Sequence, residues 1–408
     1  MFRVEGNGFG YELLRELSLS AENPIFAPMS SSTFSSNVKL AILGGGQLGK
    51  MMLTKCRQWD VFTKVLDPSP NAPARLLADD FSVGDLMDYQ TVVDFGKDAD
   101  VVTIEIENVN IEALHTLQKQ EKKVYPKPET LAIIQSKAKQ KKFYADHNIP
   151  TSAFKAYAQK PTWDSIKVPC IWKASRFGYD GFGVKKIETQ SDWASVPDVP
   201  CIVEDCVAIA KEIAVIVARK ETGECVSYPP VEMEFHPQAN QVEYVFTPST
   251  LDKDQRTASQ ALAERVAHEL NHVGLLAVEL FLDNNDTLLI NEVAPRPHNS
   301  GHLTIEAAVT SQFEQHLRTI LALPFGDCDF SQNAIMINLV GEEGFNGPVV
   351  YDGMDELLEI SGLHVHLYGK AETRPMRKMG HLTLIGADLE TLRKTAKRIK
   401  QLVVVRTD

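Results

Sequence analysis

The sequence predicts an α/β region built on a parallel sheet, followed by an α+β region rich in antiparallel strands. Three observations carry that prediction. Apolar strand-like runs alternate with helical stretches from Val38 to about residue 145, the pattern that builds parallel sheets. From about residue 152 the character changes to short strands separated by turns. Late in the chain, LLAVELFLD and TLLINEVAP flank Asn284-Asn285-Asp286, a hairpin by its turn chemistry.

Residues 1–37 stand apart. They lack the apolar core of a secretory signal, and their several Glu argue against a mitochondrial presequence. The Ser-rich stretch Ser30 to Ser36 reads as a flexible linker, so the arm is an extension outside the fold, of unknown use.

The fold starts at VKLAIL (38–43), which runs into LGGGQLGKM (43–51). Gly44, Gly46 and Gly49 satisfy G-x-G-x-x-G, and Gly44 with Gly49-Lys50 satisfies the first seven places of the G-x-x-x-x-G-K-[ST] phosphate loop. The phosphate-loop reading fails at Met51, whose thioether cannot replace the hydroxyl that ligates a hard cation. The dinucleotide reading has a strand, a helix and Asp67 at about the right distance. What the motif secures is a strand, tight turn and helix opening a Rossmann-like sheet, with backbone N–H groups turned outward for an anion. A turn that only lets strand and helix pack closely is the plain alternative.

VFTKVLDPSPNAPA (61–74) continues the sheet, and the run Val101 to Ile104 ends in Glu105 and Glu107. Ligands of parallel sheets bind beyond such carboxyl ends. A carboxylate there either caps the next helix or meets a ligand, and both remain open. The stretch 126–151 is strongly basic and helical, with Lys at i and i+4 spacing expected on a solvated face. CIWKASRFGYDGFGVKKI (170–187) gives a strand with Lys173, a glycine-rich turn and a return strand. Two more strands surround Glu204 and Glu212, and a helix runs from about 252 to 271.

Composition bounds the function. The 408 residues suffice for two to four domains, and 44% apolar with 24% charged content is ordinary for a soluble protein. A net charge of −12 argues against nucleic acid as the main partner, while a local basic pocket can still bind a small anion. No apolar run approaches the roughly 18 to 20 residues of a membrane span. The six cysteines show no C-x-x-C pair and read as reduced thiols of a cytoplasmic protein, with Cys201 and Cys206 in the core.

Glu279 and Glu292 interrupt the hairpin strands at positions that are otherwise core. Neighbouring carboxylates there need a neutralising cation. Oxygen-only ligands, two Glu with Asn291 beside them, suit Mg2+, with Mn2+ as a substitute, and Mg2+ completes its shell with substrate phosphates. Lys173 and the glycines Gly178, Gly181 and Gly183 then supply an ammonium and N–H groups to a nucleoside triphosphate.

Together these parts resemble ATP-grasp enzymes. GGGQLGKM, EIENV, FGYDGFG and INEVAPRPHNSGHLT resemble the N5-carboxyaminoimidazole ribonucleotide synthetases of purine biosynthesis, from about residue 38 to about 385. The P-R-x-H-N-S-G-H string is highly specific. The resemblance implies a Rossmann-like pre-ATP-grasp domain (38–145), an ATP-grasp domain (146–330, flap about 150–215) and a small β-rich C-terminal domain (331–408). It implies that Lys127 and Lys173 contact ATP phosphate or adenine, Glu204 the adenine edge and Glu212 the ribose hydroxyls, while Glu279 and Glu292 hold Mg2+. The aminoimidazole ribonucleotide meets Gln47, Leu48, Glu105, the Tyr179-Asp180 pair and a basic cluster of Lys370, Arg377 and Lys378. Arg296 and the segment His298, Asn299, Ser300 to His302 lie where bicarbonate is activated.

The implied reaction joins bicarbonate to the ribonucleotide amine at the expense of ATP, in a homodimer, with the following step left to a separate protein because nothing after residue 408 carries it. Two departures stand out: Phe182 and Val184 replace the usual basic residue and Gln of the flap, and Met376 replaces a Gly expected to be dispensable at the surface. His316 is expected to be structural, and His364 and His366 to lie on a surface. Rival readings are a formate-using glycinamide ribonucleotide transformylase, a biotin carboxylase, a dinucleotide-dependent oxidoreductase and a catalytically idle regulatory protein.

Overall fold

Strands β1 (Lys39–Leu43), β2 (Phe62–Asp67), β3 (Asp80–Val83), β4 (Val101–Ile104) and β5 (Lys123–Tyr125) pair in parallel in the order β3-β2-β1-β4-β5. They belong to a computed structural model that describes residues 37–176, 183–235 and 241–408; the proposed N-terminal arm up to residue 36 lies outside them. In β1, Leu40 and Ile42 face one core with helix α1 (Gln47–Gln58), while Ala41 and Leu43 face another with α2 (Tyr89–Gly96) and α3 (Ile111–Lys119). Alternate side chains thus enter opposite cores, which is why the strands read as unbroken apolar runs. Strand order reverses between β1 and β4, so the crevice beyond their carboxyl ends is where such a sheet receives ligands.

The basic stretch after β5 is two helices, α4 (Pro128–Ile134) and α5 (Lys137–Asp146), divided where Ser136 caps α5 by accepting from Lys139 N at 3.4 Å. The expected solvated lysine face is only half right. Lys139 and Lys142 are exposed, but Gln140, Lys141 and Tyr144 are buried and Lys137 turns inward.

A four-stranded antiparallel sheet follows, made of β6 (Phe154–Tyr157), β7 (Cys170–Ala174), β8 (Val184–Ile187) and β9 (Cys201–Asp205) in the order β6-β9-β7-β8. Trp172 and Trp193 fill its own small core. The largest sheet uses β10 (Ile209–Arg219), β11 (Cys225–Ser227), β12 (Val231–Phe235), β13 (Val242–Thr247), β14 (Gly274–Asp283), β15 (Leu288–Ala294) and β16 (Asn333–Val340). The short strands β17 (Gly347–Pro348) and β18 (Val350–Asp352) precede β19 (Leu363–Leu367); they pair with β20 (Glu372–Thr373) and β22 (Val404–Arg406), which bracket β21 (Lys378–Gly386). The order β15-β14-β10-β12-β13-β16-β21-β19, with β11 on β10, makes nine strands. The C-terminal strands therefore extend the sheet that holds the acidic hairpin.

Two surface expectations change. Cys206 is exposed rather than core. His364 is exposed, but His366 stacks on buried His381 at 4.4 Å and pairs with Glu306 at 2.7 Å. His316 is structural as expected, lying between Thr103 Oγ1 and Leu275 N. Among the described residues, no helix is long and apolar enough to cross a membrane.

Candidate active site

The glycine loop already holds anions, and they are its own. Glu105, at the end of β4, accepts from Gly46 N at 2.9 Å and Gly49 N at 3.2 Å, while Asp67, at the end of β2, accepts from Gly45 N at 2.7 Å. A Cβ on Gly46 would lie 2.6 Å from Glu105 Oε1, so a side chain there would displace the carboxylate from its present position. Glu105 thus caps α1, a helix that precedes it in the sequence and not the next one, and it also lines the cleft. Burial pushes its carboxyl upward, against the pull of the two N–H groups. A dinucleotide needs the same N–H groups for its pyrophosphate and Asp67 for its ribose; both are taken. What the loop presents to the cleft is Gln47 and Leu48.

The acidic hairpin faces that cleft, a cavity of about 1150 Å³. Glu279 pairs directly with Glu292, and the next pair is Leu280 with Ile290, so Asn291 is the extra residue of a β-bulge. The bulge keeps Asn291 beside the carboxylates, its Nδ2 3.5 Å from Glu279 Oε2. Glu212 lies two residues before Ala214, the partner of Glu279 on β10, and so shares its face. Burial pushes Glu212 up to about 7. The Glu279 carboxyl is raised by burial and by Glu292; the Glu292 carboxyl is held low by the Lys137 ammonium 2.6 Å away. Among the described residues, no three or more His, Cys, Asp or Glu side chains converge into a complete metal cage. Two carboxylates and an amide leave positions for phosphate oxygens, the arrangement Mg2+ favours.

Behind the hairpin, Lys173 on β7 reaches Asn291 Oδ1 and Glu204 Oε2, both at 3.1 Å. Glu204 on β9 is buried between Lys173 and Lys141, and both it and Lys173 line the cleft. Lys127, expected at the nucleotide, caps α4 and is not among the cleft-lining side chains. Lys137, ten residues on, occupies the cleft instead. A signal for it existed in the sequence: KAKQKKFYAD has almost no apolar stripe, so any face it buries must be polar.

The P-R-x-H-N-S-G-H segment follows β15 directly. Arg296 Nε lies 2.9 Å from Glu107, and His298 Nε2 lies 3.8 Å from Glu279. His298 Nδ1 meets Ser300 Oγ at 3.0 Å, and Asn299 exchanges amide hydrogen bonds with Asn338 on β16 at 2.8 and 2.9 Å. Ser300 is buried and serves to orient His298. His302, also cleft-lining, has its ring centroid 4.6 Å from that of His381, with the two planes tilted by 31°.

Of the C-terminal cluster, Lys378 lines the cleft. Lys370 and Arg377 bond backbone instead: Lys370 Nζ donates to Lys378 O and Arg377 Nη1 to Glu372 O, both at 2.7 Å, which shapes the loop beside Lys378. Met376 has φ +61°, so the position favours glycine for its backbone and is not a neutral surface site. Gly183 also has positive φ, and Val184 lines the cleft. Gly178, Tyr179, Asp180, Gly181 and Phe182 lie outside the described residues.

Comparison with known proteins fits this geometry. Residues 38–135 match the ribonucleotide synthetase preATP-grasp domain, 142–313 the ATP-grasp domain and 334–395 the phosphoribosylaminoimidazole carboxylase C-terminal domain. The chain is 37% identical over 366 residues to the chloroplastic phosphoribosylaminoimidazole carboxylase of Vigna aconitifolia, covering 87% of this chain and 65% of that protein. It covers 64% of the Candida albicans carboxylase, so it spans a little under two thirds of these longer relatives. Against the N5-carboxyaminoimidazole ribonucleotide synthase of Bacillus subtilis, identity is 35% over 365 residues, 88% of this chain and 94% of that one. The crystal structure of the Thermotoga maritima synthetase matches with TM-score 0.84 and 39% identity over 91% of this chain and 100% of that chain. An Aspergillus clavatus synthase in complex with ADP and 5-aminoimidazole ribonucleotide matches with TM-score 0.82 and 28% identity, over 90% and 99% of the two chains. The chain belongs to the N5-carboxyaminoimidazole ribonucleotide synthase family of ATP-grasp ligases.

Proposed function

We propose that this chain couples ATP cleavage to carboxylation of the exocyclic amine of 5-aminoimidazole ribonucleotide, giving N5-carboxyaminoimidazole ribonucleotide, ADP and phosphate in purine biosynthesis. The observation that carries the reading is the facing pair Glu279 and Glu292 on the wall of a cleft that also receives Lys137, Lys173, Arg296 and Lys378. Carboxylates on one wall with cations around them suit a metal-bound triphosphate and an anionic co-substrate. Glu279, Glu292 and Asn291 would hold Mg2+, which supplies charge neutralisation at the phosphates when bound.

A bicarbonate oxygen attacks the γ-phosphorus, the bond from that phosphorus to the β,γ-bridging oxygen breaks, and carboxyphosphate forms with loss of ADP. Lys137 and Lys173 offset the charge spread over the transferred group. Arg296, tied to Glu107, and His298, held by Ser300, orient bicarbonate beside the carboxylate pair. The ribonucleotide amine then forms the new C–N bond as the C–O bond to phosphate breaks, and the amine proton passes to a neighbouring base. Gln47 and Leu48, fixed by the Glu105 cap, present the ribonucleotide; Lys378, Lys370 and Arg377 form its phosphate end; Glu204 and Glu212 serve adenine and ribose. Tyr179 and Asp180 belong to the same proposal.

The reading includes a homodimer and a cytoplasmic location. Exposed Leu76, and exposed Val83 at the end of the edge strand β3, support the first, and six free cysteines support the second. The test is ADP release from ATP, labelled bicarbonate and the ribonucleotide, with mass spectrometry of the product. Label in a carbamate on the imidazole amine supports the reading. ADP release that is indifferent to bicarbonate, or that depends on formate or a biotin acceptor, overturns it.

A further inference from the structure

We propose that Lys141 is a positioning residue for the nucleotide: it neutralises Glu204 from the side away from the cleft, leaving Lys173 able to transfer from that carboxylate to a phosphate. The inference rests on the nucleotide-binding part of the reading above and not on the identity of the carboxyl acceptor.

Lys141 sits one turn after Lys137 on α5 and is 2% exposed. Its ammonium meets Thr151 Oγ1 at 2.5 Å, Ser152 Oγ at 2.8 Å and Glu204 Oε1 at 3.2 Å. Thr151 and Ser152 each accept one of its N–H donors, Glu204 lies within ion-pair distance, and Lys141 is not among the cleft-lining side chains, so it acts through Glu204 and not on a ligand. On the other side Lys173 lies 3.1 Å from Glu204 Oε2 and does line the cleft. Ser152, oriented by Lys141, donates its own proton to Glu204 Oε2 at 3.0 Å.

The arrangement is two ammoniums around one carboxylate, itself 3% exposed. Burial raises the Glu204 carboxyl, but Lys173 and Lys141 together outweigh it and hold the group ionised. Removing the sole partner of a buried charge is strongly unfavourable. If Lys173 were that sole partner, its departure for a phosphate would strand Glu204. Lys141 prevents this, because it stays paired whatever Lys173 does.

The test is calorimetric titration of Mg-ADP into the full chain. Lys141→Met keeps the length of the side chain and removes its charge. The expected result is about tenfold weaker ADP binding, with ribonucleotide affinity changed less than about twofold. In a Glu204→Gln background the same substitution should add less than about twofold, since no carboxylate remains to be compensated. Unchanged ADP affinity in Lys141→Met, or an equal loss in both backgrounds, overturns the proposal. Should Lys141→Met alone fail to fold, the comparison of Glu204→Gln with the double variant decides by the same criterion. A wild-type protein that binds ADP but does not carboxylate would refute the function proposed above and leave this inference intact.

Discussion

Glu279 and Glu292 stand directly opposite each other across β14 and β15, and the bulge that follows delivers Asn291 to the same face. Like charges directly opposed on a sheet are unfavourable, so the pair is kept at a cost in stability. Glu279→Gln is therefore expected to lower ADP release by at least about 100-fold while leaving the melting temperature unchanged or higher. Glu292→Gln is expected to abolish turnover too, but it also leaves Lys137 without its 2.6 Å partner and should not gain stability. Near-normal ADP release by either variant, followed in a coupled assay, would remove the carboxylates from the proposed metal site.

The Glu105 cap gives a second expectation. Glu105→Ala strips the Gly46 and Gly49 N–H groups of their acceptor and should cost about 1–2 kcal/mol in urea unfolding. Gln47 and Leu48 lose their fixed position with it, so the KM for ribonucleotide should rise more than the KM for ATP. An unfolding midpoint equal to wild type contradicts the cap.

These two sites mark what could be read from residues alone. The hairpin, its facing carboxylates and the glycine turn were legible because short-range patterns specify them: apolar runs, turn residues and fixed spacing. The role of Glu105 was not, because its partners are 56 and 59 residues away and a cap looks like a ligand until both ends are placed. Lys137 and Lys141 were misread as solvated because spacing on a helix says which residues share a face, not which way the face points. Lys127 is placed at the nucleotide by resemblance alone, and among the described residues it is Lys137 that lines the cleft.

Met376 offers a test of backbone strain. Its φ of +61° is a conformation that costs an L side chain about 1–2 kcal/mol, part of which glycine returns as lost chain freedom in the unfolded state. Met376→Gly is expected to stabilise the protein by up to about 1 kcal/mol by chemical denaturation, with Gln241 Nε2 still bonding the carbonyl of residue 376. A loss of stability would mean that the Met side chain contributes packing greater than the strain.

Lys370 and Arg377 hold the carbonyls of Lys378 and Glu372. Lys370→Ala and Arg377→Ala should raise the KM for ribonucleotide with little change for ATP. Equal KM values for ribonucleotide in steady-state assays would exclude this loop from the phosphate end of the site.

His316 and His272 set an acid limit. Leu275 N donates to His316 Nδ1, so the ring proton sits on Nε2 and points to Thr103 Oγ1. Burial pushes His316 down to about 3 and His272 down to about 4. Because both folded values lie below the ordinary imidazole value, their contribution is complete above about pH 6.5 and is lost as the pH falls toward 3 to 4. The unfolding free energy should drop by roughly 1.4 kcal/mol per pH unit for each imidazole in that window. His316→Gln should give a shallower slope in a urea series from pH 7 to 5; parallel slopes would refute the assignment.

The nine-stranded sheet also sets a schedule on the ribosome. The parallel sheet has all five strands once residue 125 has emerged, and consecutive strands of that kind can assemble as the polypeptide is synthesised. The larger sheet cannot close until β21 arrives at residue 386, because β16 lies between β13 and β21. For the intervening stretch of translation, β16 presents Ile335, Ile337 and Leu339 without the strand that later covers its edge. The edge of β16 is thus open to wrong pairing in the nascent chain until β21 has left the exit tunnel.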